Sequence, residues 1–233
     1  MGNSKEQSKE YYVIYHVLVV ILLTSAVILL FQLNKKAYNT NKFLASLVIA
    51  KNQKSPLDIT YGPNDILIGQ NEAPVTLFVY TSYRCKYCKE FFETNFKILK
   101  KEYIDEGIVK IIIKNIGYTN DSISLLAVKA AYCAYGEGKF FNMHMKLLEE
   151  YDVINKTILM NWLNELNIDS TQFNNCLENK TLNKLIVDNR KEMRSIGAKG
   201  TPAFVIGENV VHGNRPMAKF RELIELEMES CCE

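Results

Sequence analysis

Cys85 and Cys88 stand three residues apart in SYRCKYCKEFF, residues 82–92. Such a pair can be a redox couple cycling between dithiol and disulfide, half of a metal site, or two core thiols that happen to be close. It falls where an apolar run gives way to a helical pattern, so the two thiols share one face of a first helical turn. Free backbone N–H groups and the macrodipole favour a thiolate at such a place. Cys85, the outer position, suits an attacking nucleophile. Cys88, a turn inward, suits the thiol that resolves a mixed disulfide. Arg84 and Lys86 flank the first cysteine, although exposed cations add little in water. A zinc site needs two more ligands. Cys133, Cys176, His144, His212 and the adjacent Cys231 and Cys232 supply no second closely spaced pair of the usual kind, and no metal is expected. Nothing resembles a nucleotide or flavin motif, so no cofactor is expected either.

The chain has 233 residues, 48% of them hydrophobic, which suits one sizeable core. A formal net charge of +2, with lysines and acids interleaved, gives no nucleic-acid footprint. Residues 11–31, YYVIYHVLVVILLTSAVILLF, contain no Asp, Glu, Lys or Arg, and fourteen of the 21 are Leu, Ile, Val or Phe. As a helix they reach about 31 Å, enough to cross a hydrocarbon core. A cleaved signal peptide has a shorter apolar region ending at a small-x-small site. Here the run passes directly into Gln32-Leu33-Asn34-Lys35-Lys36, so an uncleaved anchor is expected. Lysines flank both ends and leave the positive-inside count nearly tied, so the chemistry downstream must decide the side. Glu6 stands where myristoylation needs Ser or Thr.

These features divide the chain into an N-terminal tail (1–10), an anchor (11–33), a polar Asn- and Lys-rich linker (34–64), a folded domain (65–228) and a C-terminal tail (229–233). VTLFVYT, 75–81, and IVKIII, 108–113, read as buried strands. Phe91, Phe92, Phe96, Leu99 and Tyr103 form one stripe of a helix over 86–103. The stretch 120–150 is helical, capped at Asp121 or Ser122 and broken at Gly136-Glu137-Gly138. Residues 155–197 hold two or three more helices. PAFVIG, 202–207, and NVVHG, 209–213, form a hairpin about Gly207-Glu208, and a last helix follows Pro216. The order is β, α, β, helices, β, β, α, with a right-handed parallel crossover in the first unit. The fold class is therefore α/β, a thioredoxin-like architecture with a helical insertion at about 118–197, preceded by one transmembrane helix.

GAKGTPAFVIG, 197–207, places Thr201-Pro202 directly before a buried strand. Proline cannot donate within a ladder, and on local sequence alone an ordinary trans proline or a cis bond would serve. APVTLFVYTSYRCKYCKEFF, AAYCAYGEGKFFNMHMKLLEE and GAKGTPAFVIGENVVHG, in this order across about 65–228, together resemble the DsbA-like thiol:disulfide oxidoreductases of the thioredoxin superfamily. The resemblance implies that Cys85 attacks and Cys88 resolves, and that Pro202 is cis and packs across from the pair. It also implies that the Thr201 backbone hydrogen-bonds an extended substrate, a form of strand addition.

Together with the apolar segment 11–31, it leads to the expectation of a membrane-anchored enzyme at the bacterial inner membrane, its domain on the periplasmic or extracytoplasmic side. There it would exchange disulfides with exported cysteine-containing proteins and be reset by a quinone-linked membrane partner or another thiol protein. A disulfide reductase or isomerase of the same fold, and an anchored binding module with a structural CxxC, are the alternatives.

The chain departs from the family at two places. Val79 stands where many members carry a buried acid, and a water or Lys114 on the next strand is a candidate substitute. The intervening dipeptide is Lys86-Tyr87, neither Pro-His nor Gly-Pro. His144, in FFNMHMKLL, reads as a structural histidine against aromatic rings. Cys133 and Cys176 are either buried free thiols or, in an exported domain, a disulfide. Cys231 and Cys232 read as a frayed tail or an intermolecular bridge.

Overall fold

The computed structural model describes residues 59–118 and 120–230, with Leu29, Gln32 and Leu57 described singly. The expected anchor, nearly all of the linker, and Cys231 and Cys232 lie outside the described residues. Among the described residues no helix is long and apolar enough to cross a membrane. The chain divides into Met1–Lys51 and Asn52–Glu233, and every element below belongs to the second unit.

Five strands build one mixed sheet: β1 (Ile66–Ile68), β2 (Val75–Thr81), β3 (Val109–Asn115), β4 (Ala203–Ile206) and β5 (Asn209–His212), in the spatial order β1-β3-β2-β4-β5. The central strand β2 is β-branched and aromatic, and it is buried along almost its whole length. It runs parallel to β3, from Val75↔Val109 to Thr81↔Asn115, and antiparallel to β4, from Leu77↔Ile206 to Tyr80↔Ala203. Parallel neighbours need a crossover. This one is made by α1 (Lys86–Glu93), α2 (Asn95–Leu99) and a π-helical turn at Lys100–Ile104. β1 adds antiparallel to β3. Three residues ending at Gly69 (φ +102°) are too short to show a strand period, and β1 has no counterpart in the sequence reading.

Alternate residues of the strands face two different cores. Val75, Leu77, Val79, Ile111 and Ile113 join α1, the inserted helices and the last helix in the larger cluster. Phe78, Tyr80 and Ile112 pack with Met193 and Ala198 in the smaller one. The helix expected over 86–103 breaks at Thr94. The Thr94 hydroxyl bonds the Glu90 carbonyl at 2.7 Å, and Asn95 Nδ2 donates to Asn214 Oδ1 and the Arg215 carbonyl. A side chain satisfying the backbone locally, beside one tied to a distant loop, ends a helix that periodicity would have continued.

The insertion comprises α3 (Ser122–Gly136), α4 (Phe140–Glu149), α5 (Lys156–Leu166), α6 (Ser170–Leu177) and α7 (Lys180–Ser195). The N-cap of α3 is Asp121, whose Oδ1 accepts from the Ile123 and Ser124 N–H groups. Asn155, Asp169 and Asn179 cap α5, α6 and α7 in the same way. α8 (Met217–Ser230) returns to the sheet. A disulfide joins Cys133 of α3 to Cys176 of α6, tying two inserted helices together.

Phe91, fully buried, packs on Phe92, Phe96, Phe204 and Phe220, and so locks α1 to β4 and α8. Phe91→Ala should lower the unfolding free energy by about 3–5 kcal/mol. The change should show as a fall in the denaturant midpoint at unchanged m-value. Ile123→Ala, at an exposed position, should stay within about 0.5 kcal/mol.

Candidate active site

The site is assembled where β2 ends and α1 begins. Cys85 is the N-cap of α1, with extended backbone (φ −98°, ψ 109°). Its N–H donates to the Ser82 carbonyl, which closes a tight turn out of the strand. Its Sγ accepts from the Cys88 N–H at 3.3 Å. In this position, where a helix start normally presents a hydroxyl or carboxylate, a sulfur takes up one of the orphan amides. Cys85 is half-buried and Cys88 fully buried, and both are free thiols.

Burial and donors separate the two thiols. The Cys88 side chain is the strongest influence on Cys85, favouring its ionised form. Partial burial opposes this, and the Thr201 side chain and the Cys88 and Tyr87 backbone N–H groups add to it, lowering the Cys85 pKa to about 6. The Thr201 carbonyl lies 3.0 Å from Cys85 Sγ, where it accepts from the neutral thiol and works against ionisation. The donors outweigh it. Burial pushes the Cys88 thiol far up, and the facing Cys85 sulfur adds to that. The Thr81 side chain and Ser82 backbone act in the other direction and are outweighed. The pair is thus one half-buried sulfur that ionises easily and one buried sulfur that holds its proton.

The third component arrives from 116 residues away. The Thr201–Pro202 peptide bond is cis. Pro202 is buried, and its carbonyl accepts from the Gly213 N–H at 2.8 Å, which holds the loop against the end of β5. The structure therefore brings Cys85, Cys88, Thr201 and Pro202 together. Cys133 and Cys176 lie apart from them within the insertion.

Several neighbours differ from expectation. Arg84 does not attend the thiolate: its Nη1 pairs with Asp121 Oδ2 at 2.9 Å, so a carboxylate takes up much of its charge. Lys114 does not substitute for the missing acid at Val79. Val79, Ile113 and Cys88 belong to one core, and the next residue along β3 points to the other face of the sheet. There Lys114 Nζ meets Asp65 Oδ2 at 3.2 Å, Glu192 Oε1 at 3.5 Å and the Thr60 carbonyl at 2.9 Å.

His144 is buried among the rings of Tyr83, Phe92 and Phe140, with its Nδ1 2.8 Å from Tyr83 Oη. Burial depresses its pKa to about 3, so it stays neutral. The Tyr83–His144 contact braces the segment just before Cys85 from inside the insertion. No local signal could have paired two residues 61 positions apart. Among the described residues no group of three or more His, Cys, Asp or Glu side chains is placed to hold a metal ion.

The family model described as Thioredoxin matches residues 62–226. The chain belongs to the thioredoxin family, and the likenesses that follow support the DsbA-like resemblance read from the sequence. Disulfide bond formation protein D of Bacillus subtilis is 25% identical over 171 residues, covering 70% of this chain and 77% of that protein. A Rickettsia conorii protein named as a protein-disulfide oxidoreductase is 24% identical over 152 residues, or 61% of this chain. The chain spans about half of that protein's length, 53%. The solved structure of α-DsbA1 from Wolbachia pipientis superposes with a TM-score of 0.64 at 23% identity, covering 75% of this chain and 96% of that one.

A folded-state pKa below the unfolded value means that the reduced fold binds fewer protons than the unfolded chain between about pH 6 and about pH 8.5. The stability of the reduced form should therefore rise with pH across that window and lose the contribution as pH falls through about 6. Alkylation by iodoacetamide should titrate with a midpoint near 6, disappear in Cys85→Ser, and shift to higher pH in Cys88→Ala, which removes the strongest influence favouring the thiolate.

Proposed function

We propose that the chain is a membrane-anchored protein-disulfide oxidoreductase that oxidises cysteine pairs in exported polypeptides. The observation that carries this reading is the asymmetry of the pair: an accessible Cys85 whose thiolate is stabilised, against a buried Cys88 that stays protonated. In the oxidised enzyme a substrate thiolate attacks Cys85 Sγ. The Cys85–Cys88 bond breaks and its electron pair leaves on Cys88, which takes up a proton. A second substrate thiolate then attacks the substrate sulfur of the mixed disulfide and expels Cys85 as a thiolate. Two electrons pass to the enzyme, and the substrate loses two thiol protons and gains one disulfide.

Stabilising the Cys85 thiolate stabilises the reduced enzyme, which favours this direction over a reductase or isomerase working from the dithiol. Thr201 and Pro202 are assigned to substrate binding. No described residue takes the Thr201 N–H, and the Thr201 carbonyl lies at the reacting sulfur, as strand addition of an extended substrate requires. The Cys133–Cys176 bond is assigned a structural role in the insertion.

The apolar segment 11–31 supports single-pass anchoring in the inner membrane of a bacterium, with residues 34–233 on the periplasmic or extracytoplasmic side. Dithiol enzyme is returned to the disulfide by a quinone-linked membrane protein or another thiol protein. The relatives named for disulfide formation and disulfide oxidoreduction support the same reading.

In Cys88→Ser the Cys85 thiolate can still attack a disulfide of an exported protein and displace one of its sulfurs as a thiolate, with no Cys88 to resolve the product. Mixed disulfides should therefore accumulate as thiol-sensitive high-mass bands; Cys85→Ser should give none. Equal trapping by both variants would mean that the roles of the two cysteines are misassigned. A C-terminal alkaline phosphatase fusion should be active and a cytosol-dependent reporter inactive at the same position; the opposite pattern overturns the anchored, exported arrangement.

A further inference from the structure

The wall beside Cys85 carries a charge pattern that the redox chemistry does not require. Three adjoining clefts lie along the segment from Gly197 to Pro202 and beside Cys85. One, of about 210 Å³, is lined by Cys85, Thr201 and Tyr118 among others. It shares Tyr118 with a second of about 340 Å³, lined also by Arg190, Arg194 and Lys199. A third, of about 410 Å³, shares Lys199 with the second and Thr201 with the first. Shared walls make these a continuous groove that leads from the reacting sulfur past Tyr118 to the C-terminal end of α7.

No acidic residue lines any of the three clefts. Arg190 and Arg194, four apart on α7, lie on one side of that helix. Among the described residues neither they nor Lys199 forms an ion pair with a carboxylate. Elsewhere Lys184 is paired with Asp188, and Glu192 is turned towards Tyr80 and Lys114. Arg190 is held over the ring of Tyr118, 4.6 Å from its centroid, which fixes a cation at the junction of two clefts. The chain as a whole is nearly balanced at +2, so this local excess reflects position and not composition.

Uncompensated charge of one sign in a groove raises the local concentration of opposite charge and speeds encounter. We propose that the groove lined by Tyr118, Arg190, Arg194 and Lys199 selects polypeptide segments carrying Asp or Glu within a few residues of the reacting cysteine. The inference rests on the redox assignment of Cys85 and Cys88 and adds the substrate class. The three cations act on encounter and alignment and leave the sulfur exchange to the cysteine pair.

The test uses the full chain, purified in neutral detergent and oxidised. Its substrates are three two-cysteine peptides that differ only in flanking residues: Asp, Ser or Lys. Each rate is divided by that peptide's rate with hydroxyethyl disulfide, which removes the effect of flanking charge on the peptide thiols. At low salt the Asp peptide should be oxidised roughly tenfold faster than the Lys peptide, and the advantage should shrink at high salt as charges are screened. The double variant Arg194→Glu, Lys199→Glu should reverse the order of the peptides while oxidising uncharged dithiothreitol at the wild-type rate. Peptide rates within twofold of one another at low salt, or an order unchanged in the double variant, would overturn the proposal while dithiothreitol oxidation left the redox assignment standing. Failure to oxidise dithiothreitol would sink the redox assignment itself, and the groove proposal with it.

Discussion

The site depends on one sulfur occupying the N-cap of a helix. Cys85 Sγ receives the Cys88 N–H in the place where most helices use an oxygen. The helix thereby gains a partner for an amide that nothing inside it can satisfy, and the sulfur gains a donor that favours its anion. Stability of the first turn of α1 and reactivity of Cys85 are therefore the same interaction seen from two ends. The position of Cys88 follows from it, because three residues along a helix keep a side chain on the same face and carry it nearly one turn inward.

The larger architecture holds that helix start in place. β2 is buried on both faces and delivers the chain to Ser82 and Cys85 at the C-terminal end of the central strand. Phe91 and Phe92 pin α1 to one face of the sheet, and the Thr201–Pro202 loop arrives from β4, the other neighbour of β2. Tyr83 and His144 tie the connecting segment to the insertion. The insertion also shapes the approach to the sulfur, since Tyr118 precedes it and Arg190 and Arg194 close it.

Charge is handled differently on the two faces of the sheet. On the α1 face Val79 is apolar and no described carboxylate perturbs Cys88, so burial, with the facing Cys85 sulfur adding to it, keeps its proton in place. On the opposite face Lys114, Asp65 and Glu192 form a cluster, with both Lys114 and Asp65 buried. Removing one partner from such a cluster leaves an uncompensated charge, which costs more than the pair contributes. The cluster thus belongs to the scaffold, and the sulfur chemistry proceeds in a core without fixed charge.

Much of this was legible along the chain because it is local. The apolar β-branched run of 75–81, the helical stripe of Phe91 and Phe92, the Asp121 cap and the turn at Gly207-Glu208 each draw on residues a few positions apart. The CxxC at a strand-to-helix junction is equally local. What only the tertiary structure decided involves distance along the chain or a choice between faces. β1 exists because β3 offers it an edge, not because three residues carry a period. The break at Thr94 is reinforced by Asn95 reaching the loop at 214–215. Parity separates Lys114 from Ile113, but packing chose the face that received α1 and so set the lysine apart from the sulfurs. The joining of Cys133 to Cys176, the cis bond at Thr201–Pro202 and the pairing of Arg84 with Asp121 were likewise undetermined by their own neighbourhoods. Short-range steric and hydrogen-bonding preferences act within a few residues, whereas each of these features was selected by a surface that exists only once the sheet and its helices have packed.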